Sequence, residues 1–193
     1  MIRQARWPVW LLILGLIGLP LLIQSQDRPA TKKQASAEGP QDTLSRAIRH
    51  QLNVLPYGSV FDYVAYTLDG TSVTLTGYAV RPTLKVDAEK AVKSIEGVGT
   101  VVNRIEVLPV SASDDELRRA IYRGIYEDPV LQKYAVEAMP SIHIIVKNGS
   151  VTLEGTVEQE SEKHLAETRA SGVAGVQEMK NNLQVREKGN AAH

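Results

Sequence analysis

Apolar residues along the chain fall into three regimes. From Trp7 to Ile23 the sequence WPVWLLILGLIGLPLLI runs for 17 residues without a charge. From Gln24 to Gln41, QSQDRPATKKQASAEGPQ shows no apolar period at all. Beyond that, helical spacing and strand-like alternation take turns. Leu44, Ala47, Ile48 and Leu52 share one helical face; so do Leu117, Ala120, Ile121, Gly124 and Ile125. Val64, Tyr66 and Leu68 alternate as on a strand, as do Ile142, Ile144 and Val146, and Val73 and Leu75 or Val151 and Leu153 supply the returning strands. DGTS and NGS between them are the turns of tight hairpins. A second helix carries Ala88, Ala91, Val92 and Ile95, or Ala166, Ala170 and Val173, and is expected to end at Gly97 or Gly175 before a last strand.

The two series are copies. Val64–Val107 overlays Ile142–Val185 at a constant offset of 78 without a gap, and twelve of the 44 pairs are identical. SVTL recurs at Ser72 and Ser150, each followed by a glycine, Gly77 or Gly155. That glycine is expected to let a helix or a neighbouring backbone approach the sheet. Each copy reads α-β-β-α-β, and a helix between the last two strands implies a parallel crossover. The expected fold is α+β: two tandem small αββαβ domains, each a three-stranded mixed sheet covered by two helices. Ser113 and Glu116 have capping-box spacing at the start of the second copy, where Asp114 and Asp115 suit the positive helix end.

The first regime reads differently. Arg3 and Arg6 precede the apolar run, the form of an export signal, and their position puts everything after it outside the cytoplasm. Residues 1–25 are therefore a signal peptide or a membrane anchor, 26–41 a flexible linker, 42–110 and 112–187 the two domains, and 188–193 a disordered tail. The chain has no cysteine, which removes disulfides, thiolate chemistry and a lipoprotein signal.

The phrases NGSVTLEGTVEQESEK…GVQEMKNNLQV and TSVTLTGYAV…EGVGTVVNRIEV resemble the BON domain (bacterial osmotic-shock-inducible and nodulation domain), and the resemblance covers both copies. It implies an exported protein, in the periplasm, that binds phospholipid or another envelope component without catalysis. The copies depart from the plainest pattern before the hairpin, at LNVLPYGSVFDY and at the longer EDPVLQKYAVEAMPS.

Chemistry-bearing residues agree with a non-catalytic reading. His50, His143, His164 and His193 share no metal-ligand spacing, and no phosphate-cradling loop or nucleophile motif is present. No catalytic residue, metal or cofactor is expected. His143 alternates with inward residues, so it is expected to face solvent or the other copy. The chain holds 22 basic and 22 acidic side chains, seven of each in the first copy, but nine basic against thirteen acidic in the second, a net of −4. That balance disfavours nucleic acid, and no small-molecule substrate is expected. Any lipid binding must use a local patch. One patch lies on the second copy's first helix, where Arg119, Tyr122, Arg123 and Tyr126 fall roughly 100–200° from the stripe of Leu117, Ile121 and Ile125. Three readings stay open: a phospholipid membrane surface, an envelope protein as partner, or tyrosines packed on the first copy or on the Asp128–Pro140 insertion. Arg46, Arg49 and His50 occupy the equivalent helix of the first copy without the tyrosines.

Overall fold

The computed structural model describes residues 39–56, 58–135 and 140–186. The apolar run Trp7–Ile23 and the tail from residue 188 onward lie outside them, as do the expectations of export and anchoring. Among the described residues no helix is long and apolar enough to cross a membrane.

Two αββαβ units follow one another. In the first, α1 (Pro40–Asn53) precedes a hairpin of β1 (Tyr63–Asp69) and β2 (Ser72–Ala79), then α2 (Pro82–Lys93) and a last strand in two pieces, β3 (Thr100–Asn103) and β4 (Glu106–Val107). The second repeats the order with α3 (Ala112–Tyr126), β5 (Ile142–Lys147), β6 (Ser150–Val157), α4 (Glu160–Ser171), β7 (Glu178–Asn181) and β8 (Gln184–Val185). The central strand, β2 or β6, pairs antiparallel with the strand before it and parallel with both pieces of the last one. Helix α1 begins at Pro40, inside the stretch read as linker.

The split of the last strand has a cause in the repeated asparagine. Asn103 Oδ1 accepts from Ile105 N at 3.1 Å and Asn103 Nδ2 donates to Lys85 O of α2 at 2.8 Å. Asn181 does the same with Leu183 N at 3.2 Å and Lys163 O of α4 at 3.0 Å. The side chain takes over hydrogen bonds that a strand would make, ties strand to helix, and sends Ile105 or Leu183 into the core. The expected mixed sheet is present, with its third strand interrupted.

Three local expectations are corrected. Helices α2 and α4 end at Lys93 and Ser171, four residues before Gly97 and Gly175, and further turns bridge the gap, with Val98 N bonding Ile95 O and Val176 N bonding Val173 O. The cap of α3 is Ser111, whose Oγ accepts from Asp114 N at 3.2 Å, rather than Ser113. Asp114 is buried, and its carboxylate accepts from Asn148 N and Gly149 N at 2.8 and 2.9 Å, so it clamps the hairpin turn instead of only sitting at the helix end. That turn has positive φ at both Asn148 and Gly149, the geometry of a tight two-residue hairpin.

The repeated glycine serves a backbone, not a helix. Gly77 and Gly155 have φ of 117° and 116°, and a Cβ on either would lie 2.0 Å from the carbonyl oxygen of Tyr63 or Ser141. Each copy then closes its own core, around Ile48, Leu75 and Val92 in the first and Ile121, Ile144 and Leu153 in the second.

Gly155→Ala should lower stability by about 3 kcal/mol or more, because rigid backbone must move. Gly70→Ala, where φ is 58° and no atom lies within 4 Å, should cost only about 1 kcal/mol. Urea unfolding midpoints of the two variants check this, and equal losses would remove close backbone approach as the reason for the repeated glycine.

Candidate functional site

Helix α3 divides the four residues of the expected patch. Arg119, Tyr122 and Arg123 are exposed, whereas Tyr126 is buried and its hydroxyl donates to Ile142 O. Tyr126 packs in the second copy's core with Leu131 and Tyr134, from the corner that follows α3, whose last turn is a 3-10 helix at Gln132–Ala135. Asp128 holds that corner: its carboxylate accepts from Val130 N at 2.8 Å and from Arg169 Nε at 2.8 Å. The periodicity of α3 placed Tyr126 on the far side; the segment after the helix folds back and covers it. Tyr122 stands between, 39% exposed, its ring 4.9 Å from that of Tyr126 and 6.2 Å from Phe61 of the first copy.

Arg119 and Arg123 line a groove of about 740 Å³ with Ser111, Ser113, Asn148 and Gln177. Its floor is small, Ala120, Gly149, Ala174 and Gly175. The neighbouring Arg118 turns the other way: it is buried, pairs with Asp115 and donates to Val146 O at 2.6 Å. Asp114 lines the groove too, but its carboxylate is satisfied by the hairpin amides, which leaves Glu116 as the other acidic lining residue. No ion pair of Arg119 or Arg123 is formed among the described residues. The first copy has a groove at the same place in the fold, about 420 Å³, lined by Pro40, Leu44, Ala47, Thr71 and Gly97 and lacking an arginine. The same architecture thus carries a cationic surface in one copy and an apolar one in the other.

The copies meet through a segment whose role the pattern did not reveal. Val60 and Phe61, from the loop between α1 and β1, pack in the core of the second copy, and Val60 O accepts from Ile144 N of β5 at 2.7 Å. On the outward face of β5, Ile145 is buried, Lys147 pairs with Glu106 of β4 at 2.5 Å, and His143 lies 5.4 Å, ring to ring, from Tyr63. His143 thus faces the other copy. The available signal was Ile145 itself, an apolar residue at an outward position of an otherwise alternating strand. Burial pushes the His143 imidazole below its ordinary 6.5, while the backbone and charge of Asp62 pull it back in part. His50 and His164 are exposed, and among the described residues no cluster of acidic or histidine side chains is placed to hold a metal.

Comparison with known proteins accords with this architecture. A family model described as the BON domain matches residues 40–109 and again 113–187. The chain is similar to the osmotically-inducible protein Y of Escherichia coli (strain K12), 27% identical over 132 residues, 64% of this chain and 62% of that protein. The likeness therefore spans less than two thirds of the relative's length. Among solved structures, CdsD, a structural protein of the type III secretion system of Chlamydia trachomatis, aligns with 12% identity and a TM-score of 0.30 over 76% of this chain and 95% of that one. Its C-terminal domain aligns with 11% identity and a TM-score of 0.27, over 74% and 97%.

Seating His143 against the first copy has a pH consequence. Its folded pKa is depressed, so as pH falls the unfolded chain takes the proton first, and stability is lost from about pH 6.5 downward. His143→Gln keeps Asp62, Tyr63 and Glu154 around the site but removes that proton. Denaturant unfolding at about pH 7.5 and about pH 5.5 should show the wild type losing more stability than the variant between the two conditions. A wild-type protein that gains relative to the variant would contradict the burial argument.

Proposed function

The chain belongs to the BON domain family, and from that premise we propose that it is an exported, non-catalytic cell-envelope protein whose second domain binds phospholipid. In this reading it supports envelope integrity or stress tolerance, as the osmotic induction named for its relative would favour. The periplasm is its compartment, and Trp7–Ile23 is the signal or inner-membrane anchor that delivers it there.

One observation carries the lipid reading: two exposed guanidinium groups, Arg119 and Arg123, stand beside a half-exposed tyrosine over a polar groove. Guanidinium groups offer paired donors to phosphate oxygens. Tyr122 presents an apolar ring with a wet end, the form that suits a headgroup region. Because the domain as a whole is acidic, attraction is confined to this face and weakens with salt. The alternative is a protein-binding or self-assembling scaffold in the periplasm, favoured by the exposed Val86 and Val102 of the first copy.

The test uses residues 27–193, which contain the compact unit from Ala37 onward. They should float with anionic vesicles at low salt, less at physiological salt, and not with zwitterionic vesicles. A juxtamembrane cation contributes about 1 kcal/mol, so Arg119→Ala with Arg123→Ala should weaken binding about 30-fold. Tyr126→Phe, which alters only a core hydroxyl, should float like the wild type. Absence of flotation on every composition, or flotation indifferent to both arginines, would sink the lipid reading.

A further inference from the structure

A further concavity among the described residues is the seam between the copies, a cleft of about 560 Å³. It lies away from the α3 groove and has a different composition. Arg49, from the last turns of α1, and Arg186, just past β8, line it from the two copies. Both are exposed, and no ion pair of either is formed among the described residues. Between them the wall holds Ser141 and His143, whose Oγ and Nδ1 are shut off from solvent and have no hydrogen-bond partner. A buried polar atom left without a partner is costly, and most native ones are satisfied, so either side chain gains by rotating its polar atom onto a partner in the cleft. The carboxylate of Asp62, also in the lining, does not supply one: it is taken up by Ser59 N, Ser59 Oγ and Val80 N at 3.0, 2.6 and 2.6 Å. The remaining wall is mixed: Leu52, Leu55, Val64 and Leu84 form its apolar part, beside Asn53 and Thr156.

From this geometry we infer that the seam is a binding site for a small organic oxyanion, a phosphate or carboxylate head on a short apolar body. Arg49 and Arg186, one from each copy, each offer paired guanidinium donors to an oxyanion head. Ser141 and His143, each after a side-chain rotation toward the cleft, give the head its neutral hydrogen bonds. The apolar wall receives the body, and the volume lies in the range of small-ligand sites. Because the site draws one arginine from each copy, its ligand binds only when the copies are joined, and it stabilises their junction by mass action. This ligand is independent of the phospholipid reading, which uses Arg119 and Arg123.

The probe is hexyl phosphate, titrated into the full-length chain and followed by calorimetry and by backbone amide spectra. Inorganic phosphate tests the head alone, hexanol the body alone, and dihexanoyl phosphatidic acid, kept monomeric, a lipid as the source of the head. Hexyl phosphate should bind more tightly than either fragment and move the amide signals of Ser141 and His143. Arg49→Ala and Arg186→Ala should each weaken it about tenfold, and Arg119→Ala with Arg123→Ala should leave it unchanged. Tighter binding of the phosphatidic acid with the same arginine dependence would assign the head to a lipid, and tighter binding of hexyl phosphate would assign it to a soluble anion. Absence of binding, binding indifferent to Arg49 and Arg186, or signals moving only around Arg119 would overturn the inference. Since the Arg49 and Arg186 variants leave the α3 face intact, vesicle flotation of the same variants separates failure here from failure of the lipid reading.

Discussion

The arrangement of the two domains depends on one short turn. Asp62 folds Ser59–Asp62 back on itself and fastens it to the end of β2, with its carboxylate accepting from Ser59 N and Val80 N. Held this way, the turn presents Val60 and Phe61 outward, and both enter the core of the second copy. The main chain joins at the same point, where Val60 O completes a hydrogen bond of the edge strand β5. An edge strand with unpaired amides is a hazard that proteins cover, and here the first copy covers part of it. Each copy has a core of its own, but the second one's is finished by residues of the first. That is a stronger link than a flexible connection between repeats.

Buried carboxylates recur in this role. Asp62, Asp114, Asp128 and Glu162 are all nearly inaccessible, and each accepts backbone amides from a turn or helix start. The Val130 amide holds the Asp128 carboxyl below its usual range against the effect of burial, with Arg169 adding to it. Burial would raise Glu162, but hydrogen bonds from Lys133 and Tyr134 outweigh it. Three of these four belong to the second copy, so part of its −4 is inside and matched with amides or cations. Of the three, only Asp114 lies beside Arg119 and Arg123, where Glu116 is the other acidic lining residue.

Most of the fold was legible because the chain repeats itself. Strand alternation, helical stripes and glycine positions that are weak signals alone gained force when they recurred at an offset of 78, and the αββαβ order followed from them. What escaped lay where the copies differ. Tyr126 looked like a surface residue because periodicity measures angle around α3 and takes no account of Leu131 and Tyr134 folding back over it. The role of Val60 was hidden because LNVLPYGSVFDY has no counterpart of like length in the other copy. Asp114 was read as a helix-end charge, and a local rule has no view of a hairpin turn 34 residues away. At the candidate site, Arg119, Tyr122 and Arg123 were legible as an exposed face; the groove beside them was not, since its other wall comes from the β5–β6 turn and the segment after α4.

The divergence of the copies argues for a division of labour. Both possess a groove beside the first helix, bounded by the hairpin turn and a glycine after the second helix. If the groove were only a by-product of packing, its lining would be expected to resemble itself, as the cores do. Its apolar part does, with Leu117 and Ala120 answering to Leu44 and Ala47, but Arg119 and Arg123 line the second copy's groove only. The loop before the hairpin has diverged in a matching sense: the first copy's reaches across to brace its neighbour, whereas the described part of the second copy's, Asp128–Ala135, folds onto its own core. Phe61 touches Tyr122, the exposed ring beside the two arginines, and Tyr122 rests on Tyr126 in the core. The first copy thus supports the face on which the second displays its cations.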